Sequence, residues 1–332
     1  MTQPLTKERG IEEFGFLTMS GAENSILQTI IYYESLGRYP LTAVEIYQYL
    51  QKDGLDDKKP SFSQIFSLLK FSPFLLRYVS QQNGFFFRKE FRQLVQQRIS
   101  RQKIAIFRWK KIRKIVAYLF LAPYLDGLFV SGSLTIDNVK WSSDLDLLVI
   151  TKKKRIWTAR SFLMFLLQII GQRRHDNVVK GKICLNHYVA QNHLKIQLQN
   201  LSNAQLYCQL VPLTNYPQYQ NFLAQNSWIS NFLFSSSSLK RHHWQRVDEK
   251  KWLYRMEKAI AGSIEFLLNN LIGDWLEKSL AAWQGNRIQQ KNWPRQLGTD
   301  ELYLSDETLI FHNPICKNRE VMQAYNDKIN CL

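Results

Sequence analysis

Apolar side chains recur at helical spacing in two runs between residues 22 and 50, with Ile26, Ile30 and Ile31 on the first and Val44, Ile46 and Leu50 on the second. Pro40 and the pattern Thr42-x-x-Glu45 mark where the second helix starts. There a threonine hydroxyl accepts from an orphan backbone N–H and the glutamate reaches back. A similar box, Ser61-x-x-Gln64, opens "SFSQIFSLLK" and predicts a third helix over 61–70. The apolar runs "LLRYV" and "FFFRKEF" then flank Asn83-Gly84, a pair that tolerates positive φ and predicts a hairpin. Three helices and a hairpin in this order predict a winged helix-turn-helix over residues 1–100. Lys70 is the single basic residue of the third helix, so a structural or protein-contacting role suits it as well as reading DNA does.

A helix over 91–118 leads into the strand "GLFV", which is followed by a second strand within "SDLDLLVIT". Next, "TARSFLMFLLQIIG" is a helix apolar nearly all round that ends at Gly171, a pattern that predicts burial. Its flanks "KKKR" and "QRRH" also permit a helix lying in a membrane interface. After the strand "KICLNHYVA" the chain reads mainly helical, with a serine-rich break at 235–238. A long helical pattern over 247–284 has Gly262 and Gly273 as candidate bends, and "DETLIFHNPICKNREV" suggests a strand, a turn and a terminal helix. No repeat of fixed period is present. The expected class is α+β: a mixed sheet with flanking helices over 101–198, the winged helix before it, and a C-terminal helical domain over 199–332.

Composition narrows the class further. With 332 residues, 45% of them hydrophobic, the chain has ample material for a core. The longest apolar run, "IVAYLFLAPYL", is shorter than the roughly 20 residues a spanning helix needs. The first residues, "MTQPLTKERG", have no apolar stretch with a cleavage site, so a cytoplasmic protein is expected. Cys184, Cys208, Cys316 and Cys331 are scattered, which favours reduced structural thiols over disulfides or zinc. His242, His243 and His312 lack partners at metal-ligand spacing. The net charge of +17 lies in two stretches, 88–114 and 152–182, on either side of the strand pair. Basic charge placed this way suits partners that carry phosphates.

Between those stretches the chain reads "VSGSLTIDNVKWSSDLDLLVIT". Alternate side chains of a strand share a face, so Asp144 and Asp146 stand on one side, about 7 Å apart, and repel one another. A hard divalent cation, Mg²⁺ or Mn²⁺, offsets that repulsion and is commonly shared with substrate phosphates. Gly132 lets backbone approach an anion closely, and Ser133 adds a hydroxyl and an N–H at the turn.

Gly132-Ser133 followed after ten residues by Asp144-Leu145-Asp146 resembles the nucleotidyltransferase superfamily of the DNA polymerase β type, over residues of about 105 to 195. The resemblance implies transfer of a nucleotidyl group from a nucleoside triphosphate, with the metal on Asp144 and Asp146 and the triphosphate on Gly132, Ser133 and Ser143. Lys152, Lys153, Arg155 and Arg160 are the nearest cations in sequence and would add charge at the phosphates. Active members of the superfamily carry a third carboxylate on a later strand; the corresponding strand here offers Asn186 and His187, with Asp176 in the preceding loop. Asn186 can supply an oxygen ligand but cannot act as a base. The departure leaves open a two-aspartate transferase, an enzyme whose base comes from elsewhere, and a catalytically silent nucleotide-sensing or nucleic-acid-binding regulator. The spacing also resembles the small antitoxin nucleotidyltransferases that modify a partner protein. An RNA end, a protein hydroxyl and a small molecule all stand as acceptors, and the oligomeric state is undetermined.

Overall fold

The structure, a computed structural model, describes residues 20–37, 39–53, 58–174, 180–235, 247–292, 303–311 and 314–330. Asp176, His242, His243, His312 and Cys331 lie outside the described residues.

The N-terminal part consists of α1 (Gly21–Gly37), β1 (Leu41–Thr42), α2 (Ala43–Tyr49), α3 (Phe62–Phe71), α4 (Pro73–Tyr78), β2 (Val79–Gln82) and β3 (Phe85–Arg88). Both capping boxes form as the sequence predicts, Thr42 accepting from the Glu45 N–H and Ser61 from the Gln64 N–H. Asn83 and Gly84 have φ of 53° and 79°, the left-handed pair that a two-residue hairpin turn requires. One element differs from expectation. Ser72 caps a fourth short helix with Pro73 in its first turn, so "LLRY" is helical and the strand begins at Val79. The three strands form a small antiparallel sheet in the order β1-β3-β2.

The long helix α5 (Leu94–Leu119) leads to β4 (Leu125–Val130), β5 (Leu145–Thr151), α6 (Ile156–Ile169) and β6 (Ile183–Ala190). Then follow α7 (Leu201–Cys208), β7 (Val211–Pro212), α8 (Tyr216–Gln225), α9 (Trp252–Leu268), α10 (Leu271–Asn292), β8 (Tyr303–Leu304), β9 (Thr308–Ile310) and α11 (Pro314–Asn330). The central sheet is mixed, in the order β7-β4-β5-β6-β9-β8, with β5 and β6 parallel and the other pairs antiparallel. Three of its strands come from beyond residue 199: β9 lies in "DETLIFHNPICKNREV", where the sequence suggests a strand, whereas β7 and β8, at two residues each, are too short to show a period-2 pattern. The helical pattern over 247–284 breaks at Asn269-Asn270 rather than at Gly262 or Gly273.

The alternating apolar positions of β5 divide between two cores. Leu148 and Ile150 pack with Phe129 and Val189 toward α1, α2, α7, α8 and α11, whereas Leu145, Leu147 and Val149 face α5 and α6. Full burial of such a side chain stabilises the fold by about 1.5–3 kcal/mol. Both cores draw on residues before 101 or after 198, and α11 returns to pack on α1. Helix α6 buries Ile156, Trp157, Ala159, Leu163 and Leu167, so it is a core helix, with Phe165 and Ile169 left exposed. Among the described residues no helix is long and apolar enough to cross a membrane.

Candidate functional site

The two aspartates sit where β5 begins. Asp146 has the same strand parity as Leu148 and Ile150, so it lies on the face covered by the N-terminal helices, at the end where that cover stops. Beside it β4 ends, and the Ser131 N–H donates to the Asp146 carbonyl over 3.0 Å. The next residue, Gly132, has φ +71°, and a β-carbon there would stand 2.8 Å from Asp146 Oδ2. The carboxylate thus lies against the bare Cα of the turn, and that approach requires glycine. A 3-10 turn over Gly132–Leu134 follows, closed by the Thr135 hydroxyl donating to the Gly132 carbonyl over 2.8 Å. Ser133 is half-buried in this turn, and its carbonyl accepts the Asn138 N–H over 3.0 Å.

The buried face of α5 holds the loop that leaves this turn. Arg98 donates to the Asp137 carbonyl (2.6 Å), Arg101 to Asn138 Oδ1 (3.0 Å), Arg108 to the Trp141 carbonyl (2.7 Å) and Trp109 Nε1 to Asp137 Oδ1 (3.0 Å). Positions 98, 101, 105, 108 and 112 fall on one side of a helix, so part of the basic charge of this stretch is spent inside the protein. Ser143 contributes its carbonyl to the Gly181 N–H at 2.9 Å, tying the loop to the turn before β6.

Arg174, which arrives from the segment after α6, donates to Asp144 Oδ2 at 2.6 Å and lies 3.1 Å from Cys184 Sγ. Cys184 is the register partner of Asp146 on β6. Donor atoms of Asp144, Asp146 and Cys184 all lie within 4.8 Å of one another. Burial, then the charges of Asp146 and Asp144, push the Cys184 thiol well above its usual range, so the sulfur stays protonated. Against desolvation, the nearby Cys184, Asp144 and Asp146 raise the Arg174 guanidinium above its ordinary value. The register between β5 and β6 shifts at one point, where Leu147 pairs Leu185 but Leu148 pairs His187. Asn186 is the extra residue, and its amide donates to Asp146 Oδ1 over 3.0 Å. A bulge of this kind re-aims a side chain beside a site. His187 is buried against Tyr207, and burial lowers its pKa to about 4, so it is neutral at pH 7.

Asp144, Asp146 and Cys184 together could hold a metal ion, and the side chains of Asp144 and Arg174 are still 20% and 31% exposed. Asp144, Asp146, Gly132, Ser133 and Asn186 are brought together around this point. Lys152, Arg155 and Arg160 are not. Lys152 and Arg155 follow the far end of β5, about 20 Å along the strand from Asp146, and Arg160 lies one turn into α6. Lys152 pairs with Glu265 and Arg155 with Asp274, while Arg160 donates to Gln284 and stacks over Phe311. The N-terminus of α6, where the backbone N–H groups favour an anion, is occupied by the protein's own carboxylate: both oxygens of Glu277 accept from the Trp157 and Thr158 N–H groups at 2.8 Å. Trp157 itself is buried. Arg174 and Cys184 carry no motif in the sequence; parallel pairing of β5 with β6 brings them to the aspartates. Comparison with known protein families, curated proteins and solved structures finds no match for this chain.

Proposed function

We propose that the protein is a metal-dependent nucleotidyltransferase that moves a nucleotidyl group from a nucleoside triphosphate to an RNA 3′ end. The observation that carries this reading is the contact between the Asp146 carboxylate and the bare Cα of Gly132, with Asp144 beside it. Asp144 and Asp146 would hold Mg²⁺ or Mn²⁺, which when bound supplies charge stabilisation to the phosphates and lowers the pKa of the attacking hydroxyl. Gly132 and Ser133 offer backbone N–H groups and a hydroxyl to the triphosphate. Arg174 stands within reach of the same space, and its planar guanidinium suits phosphate oxygens. A nucleic-acid acceptor is supported by two exposed rings next to the site. Phe107 and Trp141 have centroids 6.3 Å apart, Arg108 lies over the Trp141 ring at 5.3 Å, and Trp141 precedes Asp144 by three residues. Bases stack on such surfaces without regard to sequence.

A second reading, a catalytically silent nucleotide sensor, draws on Asn186 standing where active relatives of this type carry an acid and on the ion pair that occupies Asp144. The deciding assay incubates the purified chain with each labelled triphosphate, Mg²⁺ or Mn²⁺, and total RNA, beside the double variant Asp144→Ala, Asp146→Ala. Transfer of label to RNA by the wild type alone is expected. Label that persists in the double variant rejects the site, and triphosphate binding without pyrophosphate release selects the sensor.

A further inference from the structure

The turn joining α9 to α10 presents five large apolar side chains to solvent: Phe266 (82% exposed), Leu267 (69%), Leu271 (86%), Ile272 (70%) and Trp275 (68%). Single exposed apolar residues are ordinary, but a contiguous group marks an interaction site. This turn is firmly braced. Glu265 accepts the Tyr124 N–H at 2.6 Å and pairs with Lys152, Arg155 pairs with Asp274 at 2.6 Å, and Asn270 Oδ1 caps α10 through the Ile272 and Gly273 N–H groups. These contacts fasten the apolar tip to the turn between β5 and α6, the "KKKR" segment.

The unmatched charge around the tip is positive. Its two nearest acids, Glu265 and Asp274, are matched by Lys152 and Arg155, whereas Lys153 and Lys154 are exposed and have no acidic partner among the described residues. We propose that this tip docks on an anionic lipid surface, with Leu271, Phe266 and their neighbours entering the headgroup region and Lys153 and Lys154 on the phosphates. Apolar insertion plus a few basic residues is the two-part signal that reversible membrane binding requires. Trp275, one turn into α10, has the amphipathic ring favoured at such interfaces. A second copy of the chain fits less well, because two-fold contact through this tip sets the lysines of one copy against those of the other. The tip lies beyond the far end of β5 from Asp144 and Asp146, so docking leaves the carboxylate site open, and the inference does not depend on nucleotidyl transfer.

The test is co-sedimentation of the full chain with vesicles of phosphatidylcholine alone and of phosphatidylcholine mixed with phosphatidylglycerol. Binding to the mixed vesicles is expected, weakened by added salt. The triple variant Phe266→Ser, Leu271→Ser, Trp275→Ser should bind at least about tenfold more weakly, and Lys153→Glu, Lys154→Glu about tenfold more weakly to the anionic vesicles alone. Wild type that stays in the supernatant, or a triple variant that binds as well, overturns the proposal. Sedimentation velocity supplies the competing outcome: a wild-type dimer that the triple variant converts to monomer assigns the tip to self-association instead.

Discussion

Arg98 is the most demanding residue of the fold, and its replacement by methionine is the most informative perturbation. Its side chain is fully buried with that of Glu45 at 2.9 Å, donates to the Asp137 carbonyl at 2.6 Å, and lies 4.2 Å over the Tyr39 ring. Glu45 simultaneously closes the capping box of α2 and accepts the Tyr39 hydroxyl at 2.7 Å. One guanidinium therefore joins the N-terminal helices to the loop behind the Gly-Ser turn, where Asp137 holds a left-handed φ of 52°. Methionine keeps much of the volume but leaves the Glu45 charge buried with its cation gone, and breaking a buried pair from one side costs about 3–5 kcal/mol. Total stabilities run to about 5–15 kcal/mol, so Arg98→Met removes a large share of it. A melting point lower by about 10 °C is expected. Urea titration of Arg98→Met, Glu45→Gln and the double variant checks the cause. The double variant should recover part of the loss, since glutamine removes the stranded charge and can still cap the helix. A single variant that loses less than about 1 kcal/mol, or two losses that simply add, would refute the coupling.

Gly132→Ala forces a side chain into the left-handed region, a cost of about 1–2 kcal/mol, and pushes the new methyl against Asp146 Oδ2. The variant should fold and bind Mn²⁺ roughly tenfold more weakly by titration calorimetry; unchanged affinity would separate the glycine turn from the carboxylates. His187 predicts a pH effect. Its folded pKa of about 4 lies below the ordinary 6.5, because burial disfavours the imidazolium. Its neutral form is the one the fold keeps, so the contribution is complete above pH 6.5 and is lost as pH falls toward 4, by about 3 kcal/mol. Replacing it by glutamine should flatten the stability profile across that window in urea titrations, and a slope identical to wild type would contradict the assignment.

Local rules read from neighbouring residues carried far along this chain. The capping boxes at Thr42 and Ser61 and the Asn83-Gly84 turn follow from interactions spanning a few residues, and Asp144 and Asp146 do lie close together, Asp146 in β5 and Asp144 just before it. Long-range partners were not legible. That Arg174 and Cys184 reach the aspartates follows from the parallel pairing of β5 and β6, and that Asn186 turns toward Asp146 follows from a bulge. Closeness in sequence misled for Lys152 and Arg155, because an extended strand carries the chain about 3.3 Å per residue away from the site, and for Arg160, because α6 turns it toward Gln284 and Phe311. Those cations met carboxylates and amides of α9 and α10 instead. Strand alternation and caps are properties of contiguous residues and so belong to the sequence. Which charges cancel, and which apolar side chains remain uncovered at the α9–α10 turn, depends on segments more than a hundred residues apart, and only the assembled sheet and helices decide it.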